Sequence, residues 1–365
     1  MQPSPDPIEA VSQRLDNFLA ARLADAREMG EEAELVASLA AETLRGGKRL
    51  RARFCLTGWR AVSEADGRRV SPVPDGVVAT AAALEVFHAA ALVHDDVIDN
   101  SDTRRGRPAA HRALEAAHRA RGWRGDPAAF GRSGAILLGD LLVAWSDDLL
   151  EEGLTETAPV QAAAARAEYA RMRRDVTVGQ FLDIAEESAF ATQPDDVHAE
   201  RALRVASLKS ARYSIQQPLL IGAALAGADD TQSAALSAFG HPVGMAFQLR
   251  DDVLGVFGDA AVTGKPSGDD LREGKRTVLI AYAREAMPAG SRRVVDELVG
   301  DPTLDDAQIA SLQSTIVDTG ALSRVEELIS QYAHTADRSL SGARLGNAAV
   351  GELRDLARAA TARTA

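Results

Sequence analysis

Apolar residues recur at three-and-four spacing along nearly the whole chain, the signature of helices with one buried face, and alternating strand patterns are almost absent. The pattern predicts helices over roughly 7–29, 31–45, 48–63, 76–99, 108–121, 133–151, 158–187, 195–225, 230–258, 276–287, 291–299, 305–318, 320–342 and 347–361. Turn-forming residues separate them: Ala65-Asp66-Gly67, the stretch from Ser71 to Gly76, Gly122 to Pro127, Thr192-Gln193-Pro194, and a loop from Gly264 to Gly274. None of these breaks has the length or low complexity of an interdomain linker, and no solenoid-type repeat is present. One all-α domain over residues 1–365 is therefore expected.

The helix over 76–99 stands apart. From Val77 to Val93 it is apolar apart from interruptions such as Glu85 and His88, and it ends in His94-Asp95-Asp96. These interruptions make it a buried core helix and leave no expected transmembrane segment. The single Cys55 forms no internal disulfide, and the first residues lack a basic stretch followed by an apolar run, so a reducing cytoplasm is expected. Charge narrows the partners: 41 Lys+Arg against 53 Asp+Glu give −12, a mean field that repels nucleic acid. Any phosphate chemistry must use local cations or metal ions. Only four of the cationic residues are lysines, Lys48, Lys209, Lys265 and Lys275.

Four clusters carry candidate chemistry. Asp95 and Asp99, four apart on one helix, present two carboxylates in one direction with Asp96 beside them, a hard-oxygen pair suited to Mg²⁺. The loop Ser101 to Pro108 places Arg104 and Arg105 just beyond, and guanidinium forks match phosphate oxygens. Gly46-Gly47-Lys48-Arg49-Leu50-Arg51 is a glycine turn entering a helix, with Lys48 and Arg51 expected on one face; it lacks the spacing of a nucleotide P-loop. Finally, Gln248 lies one turn before Asp251 and Asp252, and the lysines Lys265 and Lys275 follow. Two carboxylate sets, several basic clusters and an apolar helix suit an apolar molecule carrying a diphosphate, with Mg²⁺ offsetting the negative charges.

These motifs, GGKRLR, HAAALVHDDVID, DTRRGRP, GDLL, GQFLD, LKS, FQLRDD and the GK and GKRT lysines, run in the order found in the trans-isoprenyl diphosphate synthase (polyprenyl synthetase) family, which the sequence resembles from Gly46 to Thr277. The resemblance implies an all-α isoprenoid synthase-type bundle around a deep central cavity, completed by helices over 291–361, usually as a homodimer. It implies condensation of isopentenyl diphosphate with an allylic diphosphate (dimethylallyl, geranyl or farnesyl). By the same resemblance Asp95, Asp99 and Asp251 match metal ligands, with three Mg²⁺ implied. Lys48, Arg51, His88 and Arg105 match the isopentenyl diphosphate site, and Arg104, Lys209, Lys265 and Lys275 match groups holding the allylic diphosphate. Ser210 and Gln248 match polar groups near the reacting carbons, and Gln180 and Asp183 a further cavity-wall motif. Gly255 departs from the pattern where the second motif often ends in aspartate, and Ser210 replaces a more usual threonine.

Counting back from Asp95, Ala91, Phe87 and Leu84 form a helical stripe along which a growing chain would extend. In the family, bulky residues four or five positions before the first aspartate shorten products. Both positions, Ala90 and Ala91, are small here, and Phe87 as the floor favours twenty carbons, geranylgeranyl diphosphate. Two alternatives stand beside the synthase: a class I terpene cyclase, disfavoured by the scarcity of aromatics at 4%, and a catalytically silent subunit of a heteromeric synthase, which Gly255 keeps open.

Overall fold

The structure, a computed structural model, describes residues 6–67, 71–259 and 267–361. In chain order the helices are α1 (Pro7–Met29), α2 (Glu31–Thr43), α3 (Leu50–Ser63), α4 (Asp75–Ile98), α5 (Ala110–Ala120), α6 (Pro127–Thr155), α7 (Pro159–Ala189), α8 (His198–Val205), α9 (Gln217–Leu225), α10 (Asp230–Phe257), α11 (Asp269–Glu273), α12 (Val278–Ala286), α13 (Ala289–Leu298), α14 (Asp306–Asp318), α15 (Ala321–Ser339) and α16 (Asn347–Thr361). The expected all-α class holds. Among the described residues the sole sheet is a two-stranded antiparallel hairpin, β1 (Thr103–Arg104) and β2 (Arg107–Pro108).

Helix ends follow local chemistry. Asp6 accepts from the Ile8 N–H with Pro7 in the first turn, and Asp229 with Gln232 and Asp305 with Gln308 form reciprocal capping boxes. The same signal corrects the sequence reading of α6, which begins at Pro127 and not near 133, because Asp126 caps it by accepting from the Ala128 N–H. The stretch predicted as one helix over 195–225 is divided. Between α8 and α9 the backbone runs as a π-helix over Ala206–Gln216, a wider turn that apolar periodicity cannot reveal.

Residue contacts gather the chain into two compact units, Met1–Trp59 with Arg69–Ala163, and Arg60–Arg68 with Ala164–Ala365. In the first, α4 is the core. It and α6 are both long and apolar enough to cross a membrane, but 83% of the α4 apolar window is buried within the protein, which marks it as a core helix. Glycine lets α6 cross α4 closely. A β-carbon on Gly76 would lie 2.6 Å from the Gly153 carbonyl oxygen, and one on Gly153 would lie 2.5 Å from that of Gly76. Farther along, the Ser146 hydroxyl donates to the Ala83 carbonyl at 2.8 Å, and a β-carbon on Gly139 would enter the His94 ring.

In the second unit α10 plays the corresponding part. A β-carbon on Gly244 would lie 2.6 Å from the Ala211 Cα, and one on Gly240 would lie 2.9 Å from the Gln216 Cα, so α10 lies flush on the π-helix. Leu249, Val253 and Val256 of α10 pack with Leu279, Ile309, Leu312, Val325 and Ile329 from the C-terminal helices. Arg250 locks α10 to α15 through a two-pronged pair with Glu326 at 2.5 and 2.6 Å.

Candidate active site

In the first unit the end of α4 delivers the aspartates. Asp95 is partly exposed, Asp96 is buried, and Asp99 caps the helix with its N–H on the Asp95 carbonyl at 2.8 Å. Asp96 is the partner of Arg104, which donates through Nε at 2.8 Å and also through Nη2, and whose Nη2 stands 3.9 Å from Asp95. Burial raises the Asp96 carboxyl above the usual range, and Arg104 opposes that rise. The stretch read as a loop is the tight hairpin, with Arg105 (φ 53°) and Gly106 (φ 72°) both left-handed at its tip, the backbone of a type I′ turn.

That tip reaches the glycine turn. Arg105 donates to the Arg45 carbonyl at 3.4 Å, and a β-carbon on Gly47 would lie 3.3 Å from its guanidinium. The turn itself is left-handed at Gly46, Gly47 and Arg49. It also corrects one expectation: α3 starts at Leu50, so Lys48 is an exposed turn residue while Arg51 is buried inside the helix, and the two share no helical face. Glu85, which interrupts the apolar run, accepts from the Ala52 N–H at 3.0 Å and stands 3.8 Å from Arg49, anchoring the N-terminus of α3. His88 sits where burial and the guanidiniums of Arg51, Arg105, Arg104 and Arg49 push its pKa well below the histidine range, so the ring is neutral. The four expected chain-length residues differ in exposure along α4. Leu84 and Ala90 are wholly buried, Phe87 is 7% exposed, and Ala91 lies on the accessible stripe with His88 and Asp95.

In the second unit the balance reverses. Lys209 on the π-helix donates to Asp183 of α7 at 2.6 Å, and Lys275 stands 3.5 Å from Asp183 and 3.2 Å from Glu187. Burial raises Asp183, but the two ammonium groups outweigh it and hold the carboxyl below its usual range. A β-carbon on Gly179 would lie 2.7 Å from the Lys209 Cα, so glycine there brings α7 against the π-helix and sets Gln180 beside it. The Gln180 Nε2 is buried with no hydrogen-bond partner among the described residues, a donor open to an acceptor. Ser210 follows Lys209 on the π-helix and is partly buried.

Gln248 does face the second aspartate pair, donating to Asp252 at 2.6 Å. Asp251 is partly exposed, and Asp252 is buried with its pKa raised well above the carboxylate range, first by burial and then by Asp270, with Asp251 and Asp183 adding to the rise. Asp270 is the residue sequence reasoning missed. A β-carbon on Gly255 would fall on its carboxylate, so an acid from α11 occupies the space beside the position where the motif lacks its own. Glu187 was missed too, although its place four residues after Asp183 is a readable helical signal. Lys265 lies outside the described residues.

A divalent cation fits this chemistry. Asp95, Asp99, Asp251 and Asp270 are hard oxygen donors, and the acids crowded around Asp252 repel one another until a cation intervenes. Among the described residues no three His, Cys, Asp or Glu side chains form a ready cage. Mg²⁺ does not need one, because it keeps waters and takes one or two carboxylates plus substrate phosphates.

Comparison with known proteins agrees with this chemistry. The geranylgeranyl pyrophosphate synthase of Corynebacterium glutamicum, solved with isoprenyl diphosphate and magnesium, superimposes with a TM-score of 0.90 at 39% identity over 98% of both chains. The geranylfarnesyl diphosphate synthase of Aeropyrum pernix is 33% identical over 81% of this chain and 83% of its own. The geranylgeranyl diphosphate synthase of Methanosarcina mazei is 31% identical over 79% and 77%. The polyprenyl synthetase profile matches residues 33–316. With these matches spanning both aspartate sets, the chain belongs to the polyprenyl synthetase family and is a prenyltransferase.

Proposed function

We propose that the two units act as one synthase domain that condenses isopentenyl diphosphate head-to-tail with an allylic diphosphate and stops at twenty carbons. The observation that carries this reading is the set of four guanidiniums around the neutral His88, beside an aspartate-tipped apolar helix. A concentration of fixed cations at the end of an apolar wall suits a phosphate-headed isoprenoid.

In this reading Lys48, Arg51 and Arg105 bind the isopentenyl diphosphate and His88 accompanies them as an uncharged hydrogen-bonding group. Arg104, Lys209, Lys265 and Lys275 bind the allylic diphosphate. Asp95 and Asp99 in the first unit, and Asp251 with Asp270 in the second, would hold three Mg²⁺, which supply charge stabilisation for the departing diphosphate. The allylic C–O bond breaks with its electrons leaving on pyrophosphate, the isopentenyl double bond forms the new C–C bond, and pyrophosphate takes the proton released. Gln248, Ser210 and the open Gln180 amide orient polar groups near the reacting carbons, and no protein nucleophile is required. Phe87 floors the stripe past Ala91 and sets the length. A homodimer through α6, where Ile136 and Leu137 are 47% and 67% exposed, and a cytoplasmic location complete the reading.

The test incubates purified protein with Mg²⁺, isopentenyl diphosphate and each allylic primer and sizes the products by chromatography. A twenty-carbon linear diphosphate is expected. A cyclic hydrocarbon from one allylic substrate, or no turnover by intact metal-loaded protein, would overturn the synthase reading; sedimentation as a monomer would overturn the dimer.

A further inference from the structure

Lys275 poses a positioning problem. Its ammonium sits on a flexible four-carbon stem rooted between Gly274, in left-handed backbone, and Thr277, which caps α12. A lysine so placed reaches a phosphate reproducibly only if its root is held. The neighbouring residue, Arg276, shows how. Its guanidinium carbon lies 4.0 Å from the centre of the Phe190 ring, and that of Arg284 lies 4.2 Å from the same ring. The His198 ring packs at 4.7 Å as well. Two guanidiniums on one buried aromatic would repel, but Asp296 accepts from Arg284 at 2.6 and 2.9 Å and stands 3.7 Å from Arg276. Arg276 also donates to the Val299 carbonyl at 3.1 Å.

Phe190 follows the last turn of α7, three residues after Glu187 and seven after Asp183, the two carboxylates that hold the Lys275 ammonium. The ring therefore joins the root of the lysine to the end of the helix that carries its resting partners. We propose that Phe190 is a positioning residue for Lys275: the Arg276–Phe190–Arg284 stack fixes the lysine backbone while its head exchanges Asp183 and Glu187 for a substrate phosphate. The inference rests on the reading of Lys275 as an allylic diphosphate ligand. Guanidinium on an aromatic face is attractive because the ring presents negative charge there, and an aliphatic side chain of similar size keeps the packing but not this attraction.

The experiment compares Phe190→Leu, Phe190→Tyr, Lys275→Ala and the Phe190→Leu/Lys275→Ala double variant in steady-state kinetics, with a thermal melt for each. Phe190→Leu is expected to raise the allylic KM about three- to tenfold, the size expected for losing a partly buried cation–π contact, with kcat and the isopentenyl KM near wild type. Phe190→Tyr, which keeps the ring, restores the wild-type value. The double variant matches Lys275→Ala, because the ring acts through the lysine. If Lys275→Ala leaves the allylic KM unchanged, the ligand reading of Lys275 fails. If Lys275→Ala raises it while Phe190→Leu does not, or the two effects multiply in the double variant, the positioning role fails and the ligand reading stands. A Phe190→Leu change confined to the melting temperature also overturns it.

Discussion

The two units carry opposite charge around their aspartates. In the first, Arg49, Arg51, Arg104 and Arg105 surround a neutral histidine, and the acids next to them, Glu85 and Asp96, are already bonded. In the second, Asp183, Asp251, Asp252 and Asp270 outnumber the lysines Lys209 and Lys275 that pair with Asp183. By charge the first unit suits an anion directly, whereas the second is over-supplied with acid and gains from a cation first.

The largest effect separating these behaviours is expected from Arg105→Ala. Loss of a charge-assisted contact of about 1.5–3 kcal/mol weakens metal-free binding of isopentenyl diphosphate by about ten- to hundredfold, read by calorimetry in the presence of a chelator. Unchanged affinity would erase the contrast. Next, Gly255→Asp places a side chain onto the Asp270 carboxylate and is expected to raise the Mg²⁺ concentration for half-maximal binding of pyrophosphate by about tenfold. Adding Asp270→Gly to that variant should return it toward wild type; if the double variant is worse than either single one, Asp270 does not stand in for the missing acid.

Changes to the apolar helix should leave binding in both units intact and alter only the product. Phe87→Ala is expected to lengthen it and Ala91→Phe to shorten it, on a chromatogram of reaction products; identical distributions in both would remove Phe87 as the floor. The smallest effect is on stability. Because the folded pKa of His88 lies below the ordinary value, the unfolded chain binds the extra proton; the stability tied to this ring is complete above about pH 6.5 and is lost progressively as pH falls from there toward the lowered folded value. Thermal melts of His88→Gln should show a flatter acid side than wild type, and parallel curves would place the charge elsewhere.

Local signals found most of the helices, because apolar spacing and caps such as Asp229 with Gln232 act over a few residues. They placed Asp95 at the end of α4 and Gln248 one turn before Asp252 on α10 for the same reason. What they missed is of two kinds, backbone geometry that apolar spacing does not encode and a partner distant in sequence. The hairpin tip at Arg105 and the exposed Lys48 follow from left-handed turn geometry, and the π-helix under Lys209 changes register without changing the apolar pattern. Asp270 could not be read from Gly255, since only the folded chain shows that the vacant side-chain position is occupied from another helix.

The reciprocal glycines where α6 crosses α4 bear on the proposed role of Phe87. Gly76 and Gly153 leave no room for either helix to slide past the other, and the Gly139–His94 contact holds the opposite end. If Phe87 is the floor, as proposed, α4 becomes a ruler with a fixed zero, graduated at about 1.5 Å per residue. Product size in a relative with a stopper one turn higher or lower would then change by a repositioned mark on the same scale, with the scale itself untouched.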